Sequence, residues 1–419
     1  MIALVDVNNF YVSCERLFNP YLINKPVVVL SNNDGCIISR SQEAKNLGIK
    51  MGEPLFKASA IIRQHQVQVL SSNYPLYADI SARVMSLLSD FTSTQEIYSI
   101  DECFLDMEGH ENLQDIARKI KCLLWRYLRM PVCVGIGPTK VLAKLANRCA
   151  KKQDQQSGVF IISNAHAPEL NNMMDDLSVD QIWGVGKALA VKLQRKSIYS
   201  ILDLKQSNPT WVRKFFGINM ERIIYELNGI SCLLIDNQYV AKKGIRCSRS
   251  FGENVNDYIR LAEAVTTFSG RAALKARSQN TGTNAVTVFL STNPFNKEHR
   301  HYQDAITMPL EQLTNQTNLI VKAALSGLRK IYKQKVAYSK CGVILNNLEE
   351  LDKLSYALIS PTHNRQANLT KIVDEINNKF DKNSLHIAFQ PLYPSWDMRQ
   401  SYRSQSYSTS WSELLLVGC

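Results

Sequence analysis

Two short apolar runs, each ending abruptly in carboxylates, constrain this chain of 419 residues more than any other feature. Residues 2–5 (Ile-Ala-Leu-Val) lead into Asp6, and residues 98–100 (Tyr-Ser-Ile) lead into Asp101 and Glu102. Such runs indicate buried strands. A carboxylate at the end of a buried strand is costly to desolvate unless a partner compensates its charge. Three carboxylates at two strand ends therefore predict a site for Mg²⁺ or Mn²⁺, which prefer oxygen ligands.

Asp101 and Glu102 can serve one site only if the chain turns there, because neighbouring side chains of a regular strand point to opposite faces. The apolar run that follows at residues 103–105 favours a hairpin turn at this point. Two metal ions about 3.5–4 Å apart would clamp the attacking and leaving oxygens of a phosphoryl transfer. Spacing alone leaves a second interpretation open, in which these are ordinary acids at loop ends exposed to solvent.

The net charge of +12 is concentrated in one part of the chain. Residues 240–340 hold 16 Lys and Arg against 6 Asp and Glu, whereas the rest holds 33 against 31. A basic segment of this kind favours binding to a polyanion. A generally basic protein is the alternative, and it fits the uneven distribution poorly.

The cysteine distribution and the hydropathy indicate the compartment in which the protein works. The ten cysteines are scattered without a C-x-x-C pair, which is typical of core thiols in a reducing compartment rather than of a disulfide framework or a zinc site. We find no pattern of a signal peptide or of a membrane span, so we expect a cytoplasmic protein.

Strand-like and helical patterns are intermixed along the chain, which predicts an α+β fold. The patterns divide the chain into five parts: a catalytic domain at 1–165, a region of short helices at 166–232, a linker at 233–246, a basic domain at 247–350 and a C-terminal extension at 351–419. The basic domain has a β-α-β-β-α-β pattern, with helices predicted over about 257–279 and 311–333. We expect no fixed structure in the Ser/Tyr-rich stretch 401–412.

Four motifs stand in order along the chain and together resemble the Y-family DNA polymerases, which copy damaged templates. They are DVNNFY at 6–11, SRSQEAKNLG at 39–48, YSIDE at 98–102 and GIGPTKVLAKLANRCAKK at 135–152. The stretches SNNDG at 31–35 and SSNY at 71–74 are similar to the UmuC branch of that family. The resemblance covers nearly the whole chain. It implies a right-hand polymerase with palm and fingers, a helical thumb with a helix-hairpin-helix, and a little finger over the basic domain.

The resemblance also implies which residues carry the chemistry. Asp6, Asp101 and Glu102 match the catalytic, metal-binding carboxylates, and the backbone carbonyl of Val7 matches a further ligand. Two Mg²⁺ ions are the implied cofactors, with Mn²⁺ as an alternative.

Nucleotide contacts are implied in the same way. Phe10 and Tyr11 match nucleotide-binding positions, and Tyr11 matches the steric gate that lies under the sugar and excludes a 2′-hydroxyl. Ser39, Lys45 and Lys151 match positions that touch the triphosphate. From the residues alone, a core tyrosine and solvated lysines remain alternative interpretations.

Residues 183–187 (Trp-Gly-Val-Gly-Lys), followed by a helical pattern, predict a helix-hairpin-helix that binds DNA backbone. Gly184 and Gly186 would let the backbone approach a phosphate, and Lys187 adds charge. A plain turn between two helices is the alternative.

The basic domain supplies the remaining candidate contacts to DNA. By the resemblance, these contacts are Arg246, Arg249, Arg271 and Lys275, and Arg277 lies in the same basic segment. Phosphate contacts of this kind predict that DNA binding weakens steeply as salt is added, because each contact releases counterions.

The implied function is template-directed, error-prone translesion synthesis in an SOS-type response, on primer–template DNA and a dNTP. A processed UmuD-type subunit dimer and a RecA-type filament are the implied partners. Sliding-clamp binding stays open, because residues 353–358 lack the Gln and the Leu-Phe pair of the clamp motif. Two other functions stay open: a nucleotide cyclase, which has no use for the basic domain, and a non-catalytic DNA-binding repair accessory, against which the complete set of acids argues.

Overall fold

The computed structural model describes residues 1–152, 158–236, 242–296, 301–351, 361–380, 384–386, 389 and 396–414. The chain forms two compact units: residues 1–31, 35–238 and 402–419 make the first, and residues 32–34 and 239–401 make the second. Strands and helices are intermixed in both units, so the α+β class is confirmed. The division into five parts stays a prediction.

The first unit holds two sheets and eleven α-helices within its described residues. Its strands are β1 (Ile2–Val7), β2 (Val27–Leu30), β3 (Ile37–Arg40), β4 (Gln68–Ser71), β5 (Gln95–Ile97), β6 (Glu102–Asp106), β7 (Val132–Gly137) and β8 (Val159–Ile161). Its α-helices are α1 (Phe10–Phe18), α2 (Gln42–Asn46), α3 (Leu55–Gln64), α4 (Tyr74–Leu88), α5 (Leu113–Leu128), α6 (Lys140–Lys152), α7 (Pro168–Asp175), α8 (Lys187–Gln194), α9 (Ile201–Gln206), α10 (Pro209–Phe216) and α11 (Ile218–Leu227).

The larger sheet has the order β5-β6-β1-β7-β8, with β1 antiparallel to both of its neighbours. All six residues of β1 are buried, which explains why the run lacks polar alternation. Ala3 and Val5 pack into a core shared with α4 and α5, whereas Ile2 and Leu4 pack against β6 and α6. Side chains alternate along a strand, so Asp6 lies on the α6 side with Leu4.

Helix α6 lies unusually close to this sheet because β7 carries glycines on the facing side. A Cβ atom added at Gly135 would lie 2.0 Å from the backbone nitrogen of Asn147, and one at Gly137 would lie 2.8 Å from that of Ala143. The Asn147 amide also donates to the carbonyl of Cys133 at 2.9 Å. The motif GIG therefore permits the contact that brings α6 over the end of β1.

The smaller sheet, with the order β3-β2-β4, and the helices α7–α11 complete the first unit. Strand β2 is antiparallel to β3 and parallel to β4, and α2 and α3 cover the sheet through buried Ala44 and Ala58. Helices α7–α11 form a separate core together with the apolar side of α6, which includes Val141 and Leu145.

The second unit contains the predicted β-α-β-β-α-β order. Its elements are β9 (Ile245–Val255), α12 (Tyr258–Ser278), β10 (Thr281–Ser291), β11 (Gln303–Thr314), α13 (Thr317–Ile331), β12 (Tyr338–Asn346), β13 (Glu349–Glu350) and α14 (Pro361–Lys379). The four long strands have the order β11-β10-β12-β9, and α12 and α13 pack into one core with the sheet.

Three expectations about regular structure are wrong. The sequence predicts a buried strand at residues 98–100, but β5 ends at Ile97 and these residues form the turn between β5 and β6, with Tyr98 exposed. The helix predicted from residue 311 begins only at Thr317, because residues 311–314 continue β11, which pairs with β10 as far as Thr314. The stretch 401–412 was expected to have no fixed structure, yet the N–H of Ser71 donates to the carbonyl of Tyr402 at 2.9 Å. Upstream in the extension, Trp396 is buried in the second unit beside the ring of Phe268.

Within the described residues, no helix combines the length and apolar character needed to cross a bilayer. The cysteines of the same residues are free thiols, as their scatter predicted.

Candidate active site

The chain turns between β5 and β6, as the predicted site requires. The N–H groups of Tyr98 and Ser99 both donate to the carbonyl of Glu102 at 3.1 Å. The Ser99 hydroxyl donates to the Asp101 carboxylate at 2.6 Å and accepts from the N–H of Glu102 at 3.0 Å. The carbonyl of Asp101 accepts from the N–H of Val7 at 2.9 Å. This turn places Asp101 beside the end of β1.

Asp6 and Glu102 lie directly opposite each other in the antiparallel register of β1 and β6. Opposed residues of an antiparallel pair share one face of the sheet, so both carboxylates face α6. The next pair on this face is Leu4 and Phe104, which is apolar and fully buried. The acids therefore stand at the edge of a dry region.

The Asp6 carboxylate forms an ion pair with Lys151 of α6, with a distance of 2.6 Å between Oδ2 and Nζ. Burial raises the pKa of Asp6 to about 6; the negative charges of Glu102 and Asp101 add to the rise, and Lys151 opposes it. The acids are thus close enough to affect one another. The predicted triphosphate contact Lys151 lies against Asp6 in this structure.

Glu102 is paired with Lys144, a residue that the sequence analysis missed. Both carboxylate oxygens accept from the Lys144 ammonium, at 3.0 and 3.1 Å. The same ammonium lies 4.4 Å from the ring centroid of Tyr98 and 5.3 Å from that of Trp183. The Trp183 indole N–H donates to the Tyr98 hydroxyl at 3.1 Å, so the turn predicted at residues 183–187 contributes a ring to the site.

A cavity of about 460 Å³ opens between the two acids and α6. Asp6 and Glu102 line its sheet side, and four cations of α6 line the other: Lys144, Arg148, Lys151 and Lys152. Arg148, Lys151 and Lys152 follow Lys144 by four, seven and eight residues, which puts all four on one face of a helix. That spacing is visible in the sequence and identifies Lys144, Arg148 and Lys152, which the resemblance alone did not single out.

The donor set suits a hard divalent cation, but it is not gathered around one point. Among the residues that the structure describes, no group of three His, Cys, Asp or Glu side chains has the arrangement of a metal site. Instead of binding a shared cation, Asp6 pairs with the ammonium group of Lys151, and Glu102 pairs with that of Lys144. The oxygen ligands fit Mg²⁺ chemistry, and a metal ion at Asp6 would have to displace Lys151.

Tyr11 and Phe10 have different surroundings. The Tyr11 ring is half-buried and stacks on the ring of Tyr77, with 4.5 Å between centroids and 16° between planes. Burial raises the pKa of Tyr11, and the charge of Asp101 contributes, so this ring lies near the acids. Phe10 is buried in the core of the larger sheet. The structure therefore brings Tyr11 towards the site and places Phe10 behind it.

Lys45 lies within electrostatic range of the same centre. Burial lowers the pKa of Lys45, Arg40 and Lys151 add to the fall, and Asp6 opposes it. Ser39, the other predicted triphosphate contact of this region, is a buried residue of β3. Arg40 is a further cation that the sequence analysis missed.

The predicted phosphate-binding turn precedes α8. Gly184 has a φ of +91°, and a Cβ atom there would lie 2.9 Å from Cδ1 of Ile223, so the turn requires glycine. Gly186 is the N-cap of α8, and Lys187 is its first residue. A short 3₁₀ helix, Val179–Gln181, precedes the turn.

The basic residues of the second unit do not share one surface. Arg246 is exposed on one face of β9, with its guanidinium 4.3 Å from the ring centroid of Phe289. Arg249 lies three residues after Arg246, so its side chain points to the opposite face of β9. There it forms an ion pair with Asp397. Its charge also helps to lower the pKa of Arg271, for which burial is the main cause.

Two further basic residues of the second unit lie on α12. Lys275 lies beside Cys247 of β9. Arg277 is held by Asp374 at 2.6 and 2.9 Å, and it also donates to the carbonyl of Asn315 at 2.8 Å. Arg277 therefore stabilises the unit itself, and Arg246 is the candidate contact that projects from the sheet.

Comparison with known proteins gives independent evidence of the family to which the chain belongs. The impB/mucB/samB family matches residues 5–148, its C-terminal domain matches residues 242–369, and a domain of unknown function matches residues 367–417. Protein UmuC of Salmonella typhimurium is 40% identical over 423 residues, covering 100% of both chains. Protein MucB of Escherichia coli is 37% identical, covering 99% of both. A chimera of the Y-family DNA polymerases Dbh and Dpo4 superposes with a TM-score of 0.66 at 23% identity, over 84% of this chain and 100% of that one.

Proposed function

Because this chain belongs to the impB/mucB/samB family of UmuC-type Y-family DNA polymerases, we propose that it performs translesion DNA synthesis by two-metal nucleotidyl transfer. The observation that carries the proposal is the pair Asp6 and Glu102, which face the cation row of α6 across one cavity. The primer 3′-hydroxyl attacks the α-phosphate of a dNTP, and pyrophosphate leaves as the bond to the β-phosphate oxygen breaks.

The acids of the site hold the metal in this proposal. Asp6, Asp101 and Glu102, with the carbonyl of Val7, would bind Mg²⁺. When bound, Mg²⁺ supplies charge neutralisation for the attacking and leaving oxygens. The turn at residues 98–101 is what supports a joint role, since it brings Asp101 to the end of β1.

The cations of α6 bind the polyphosphate. Arg148, Lys151 and Lys152 line the cavity together with Lys144, and such preorganised charge stabilises a phosphoryl group as it transfers. Lys45 contributes from α2. Tyr11 lies under the sugar and excludes a 2′-hydroxyl by occupying its space.

DNA and protein partners complete the proposal. Gly184, Gly186 and Lys187 contact the duplex backbone, and Arg246 contacts DNA from the sheet of the second unit. By the resemblance to the UmuC branch, a processed UmuD-type dimer and a RecA-type filament activate the chain in an SOS-type response. The segment at residues 353–358, which bears on clamp binding, lies outside the described residues.

Primer extension past an abasic site tests the proposal, with the UmuD-type dimer and the RecA-type filament present. We expect Asp101→Ala to abolish extension. Asp106→Ala is the matched control, since Asp106 lies at the far end of β6, four residues from Glu102 and about 13 Å away. Extension that survives Asp101→Ala would refute the assigned carboxylates. A wild-type chain that binds DNA but never extends a primer would favour the non-catalytic accessory.

A further inference from the structure

Residues 402–407, here called the tail segment, dock on the first unit beside the end of β4. The backbone N–H of Ser71 donates to the carbonyl of Tyr402, and the N–H of Tyr402 donates to the Ser71 hydroxyl, both at 2.9 Å. Ser71 and Arg403 form a parallel β-bridge. The tail segment thus extends the pairing of a strand that belongs to the smaller sheet.

The tail segment also binds the residue that precedes α4. The Asn73 side chain makes no capping hydrogen bond to its own helix. Its amide donates instead to the Ser404 hydroxyl at 3.0 Å and to the carbonyl of Gln405 at 3.1 Å. Helix α4 begins at the next residue and carries Tyr74 and Tyr77, whose rings both contact Tyr11.

A second path leads from the tail segment to Tyr11 through α1. The Ser404 hydroxyl donates to Oε1 of Glu15 at 3.0 Å, and the Tyr77 hydroxyl donates to the same oxygen at 2.6 Å. The Tyr77 ring then stacks on Tyr11. Glu15 is 1% exposed and lies four residues after Tyr11 on the same side of α1.

The end of the tail segment packs on helix α1. The Tyr407 ring stacks on Phe18, with 4.9 Å between centroids and 10° between planes. The tail segment therefore touches both elements that hold Tyr11: the helix that carries it and the helix whose tyrosines pack on its ring.

We propose that the tail segment is a positioning element for nucleotide selection, in which Ser404 fixes Glu15 and Tyr77 and thereby holds Tyr11 against the incoming sugar. This inference rests on the proposed function of Tyr11. It gives a role to part of the region matched by the domain of unknown function, and to the stretch SSNY, which the proposed mechanism does not use.

Sugar selectivity tests the inference in the full-length chain. The ratio of dNTP to matching rNTP insertion is measured by single-nucleotide primer extension for wild type, Ser404→Ala, Ser404→Thr and Tyr11→Ala. Ser412→Ala is the matched control, because Ser412 is exposed in the same extension and its hydroxyl bonds with that of Ser410. Ser404→Ala removes the hydroxyl's hydrogen bonds with Glu15 and Asn73, and we expect it to lower the ratio about fivefold, mainly through better rNTP insertion. Ser404→Thr, which keeps the hydroxyl, should restore the ratio.

The outcomes separate the inference from the proposed function. If Tyr11→Ala lowers the ratio and Ser404→Ala matches wild type, the tail segment has no positioning role and the steric gate stands. If Tyr11→Ala leaves the ratio unchanged, the gate and the inference both fail. A ¹⁹F NMR spectrum with 3-fluorotyrosine at position 11 gives a readout independent of catalysis. We expect its resonance to shift in Ser404→Ala and not in Ser412→Ala, and an unchanged resonance in both would overturn the inference.

Discussion

Two acids near the start of the chain, Asp6 and Glu15, are both almost excluded from water, with 6% and 1% of their surfaces exposed. Burial raises the pKa of both carboxyl groups. Their partners differ. Asp6 faces the ammonium of Lys151, whose side chain is 43% exposed, whereas Glu15 accepts from the hydroxyls of Tyr77 and Ser404.

The difference between these partners indicates a chemical role for Asp6 and a structural role for Glu15. A half-exposed ammonium can leave its acid and be replaced by another cation, so Asp6 is suited to hold a metal ion. The hydroxyls around Glu15 are fixed by packed rings and backbone, so Glu15 is suited to hold side chains in place. Burial and a raised pKa alone do not distinguish the two roles.

The largest expected effect comes from removing the charge of Asp6. We expect Asp6→Asn to reduce primer extension about a thousandfold, because the proposed mechanism makes Asp6 a metal ligand. We also expect the free energy of unfolding to stay the same or to rise, because a buried charge is removed. Extension kinetics and urea denaturation of the same preparation measure the two quantities. A variant that unfolds easily would mean that Asp6 is structural after all.

Glu15→Ala is the reverse experiment. We expect the free energy of unfolding to fall by about 2–4 kcal/mol, because a cavity forms and two hydroxyl donors lose their shared acceptor. The folded fraction should still extend primers with a dNTP. Thermal unfolding followed by circular dichroism gives the first value, and active-site titration the second. Complete loss of dNTP insertion by folded protein would make Glu15 part of the catalytic centre.

Removing the charge of Lys144 should destabilise the fold more than removing the charge of Lys151. Lys144 is 14% exposed and its ammonium contacts both oxygens of Glu102, so Lys144→Met should cost about 1–3 kcal/mol of stability. Lys151→Met should cost less, because water already screens its ammonium group. Urea midpoints of the two variants decide the order. Equal losses would show that Lys151 is as firmly held as Lys144.

The smallest effect is a pH dependence from Glu15. Its folded-state pKa is raised above the ordinary value of 4.5, so the folded chain binds the proton more tightly than the unfolded chain. The stability from this group is present below pH 4.5 and is lost as the pH rises through the folded-state pKa. Glu15→Gln has no such proton, so its stability relative to wild type should increase with pH. Denaturation across that range tests this, and a constant difference would place Glu15 in a wetter environment.

The sequence predicted the strand before Asp6 well, because its determinants are local, but it wrongly extended a buried strand through residues 98–100, which form a turn. The apolar run before Asp6 and the turn before Glu102 are each set by a few neighbouring residues. The cations of α6 were also readable, since their helical spacing needs no tertiary information. The helix predicted from residue 311 was wrong because strand pairing with β10 outweighed a local helical pattern.

Partners distant in the sequence could not be predicted. Arg249 was predicted to contact DNA, and only the fold shows that it forms an ion pair with Asp397. The stretch 401–412 looked unstructured because its own side chains carry few apolar groups. Its order comes from Ser71, Asn73 and Glu15, which no pattern within the stretch reveals.

The hydrogen bond between Ser404 and Glu15 joins residues that are 389 positions apart. A ribosome that adds about 5–20 residues per second needs roughly 20–80 s to make the second partner after the first. By the end of that interval the carboxylates and the cations of α6 have been synthesised, but Glu15 still lacks one of its two hydroxyl donors. A message cut short before codon 404 would therefore yield a nascent chain that contains the proposed catalytic acids but lacks the hydroxyl that supports Glu15 and Tyr77 beside Tyr11.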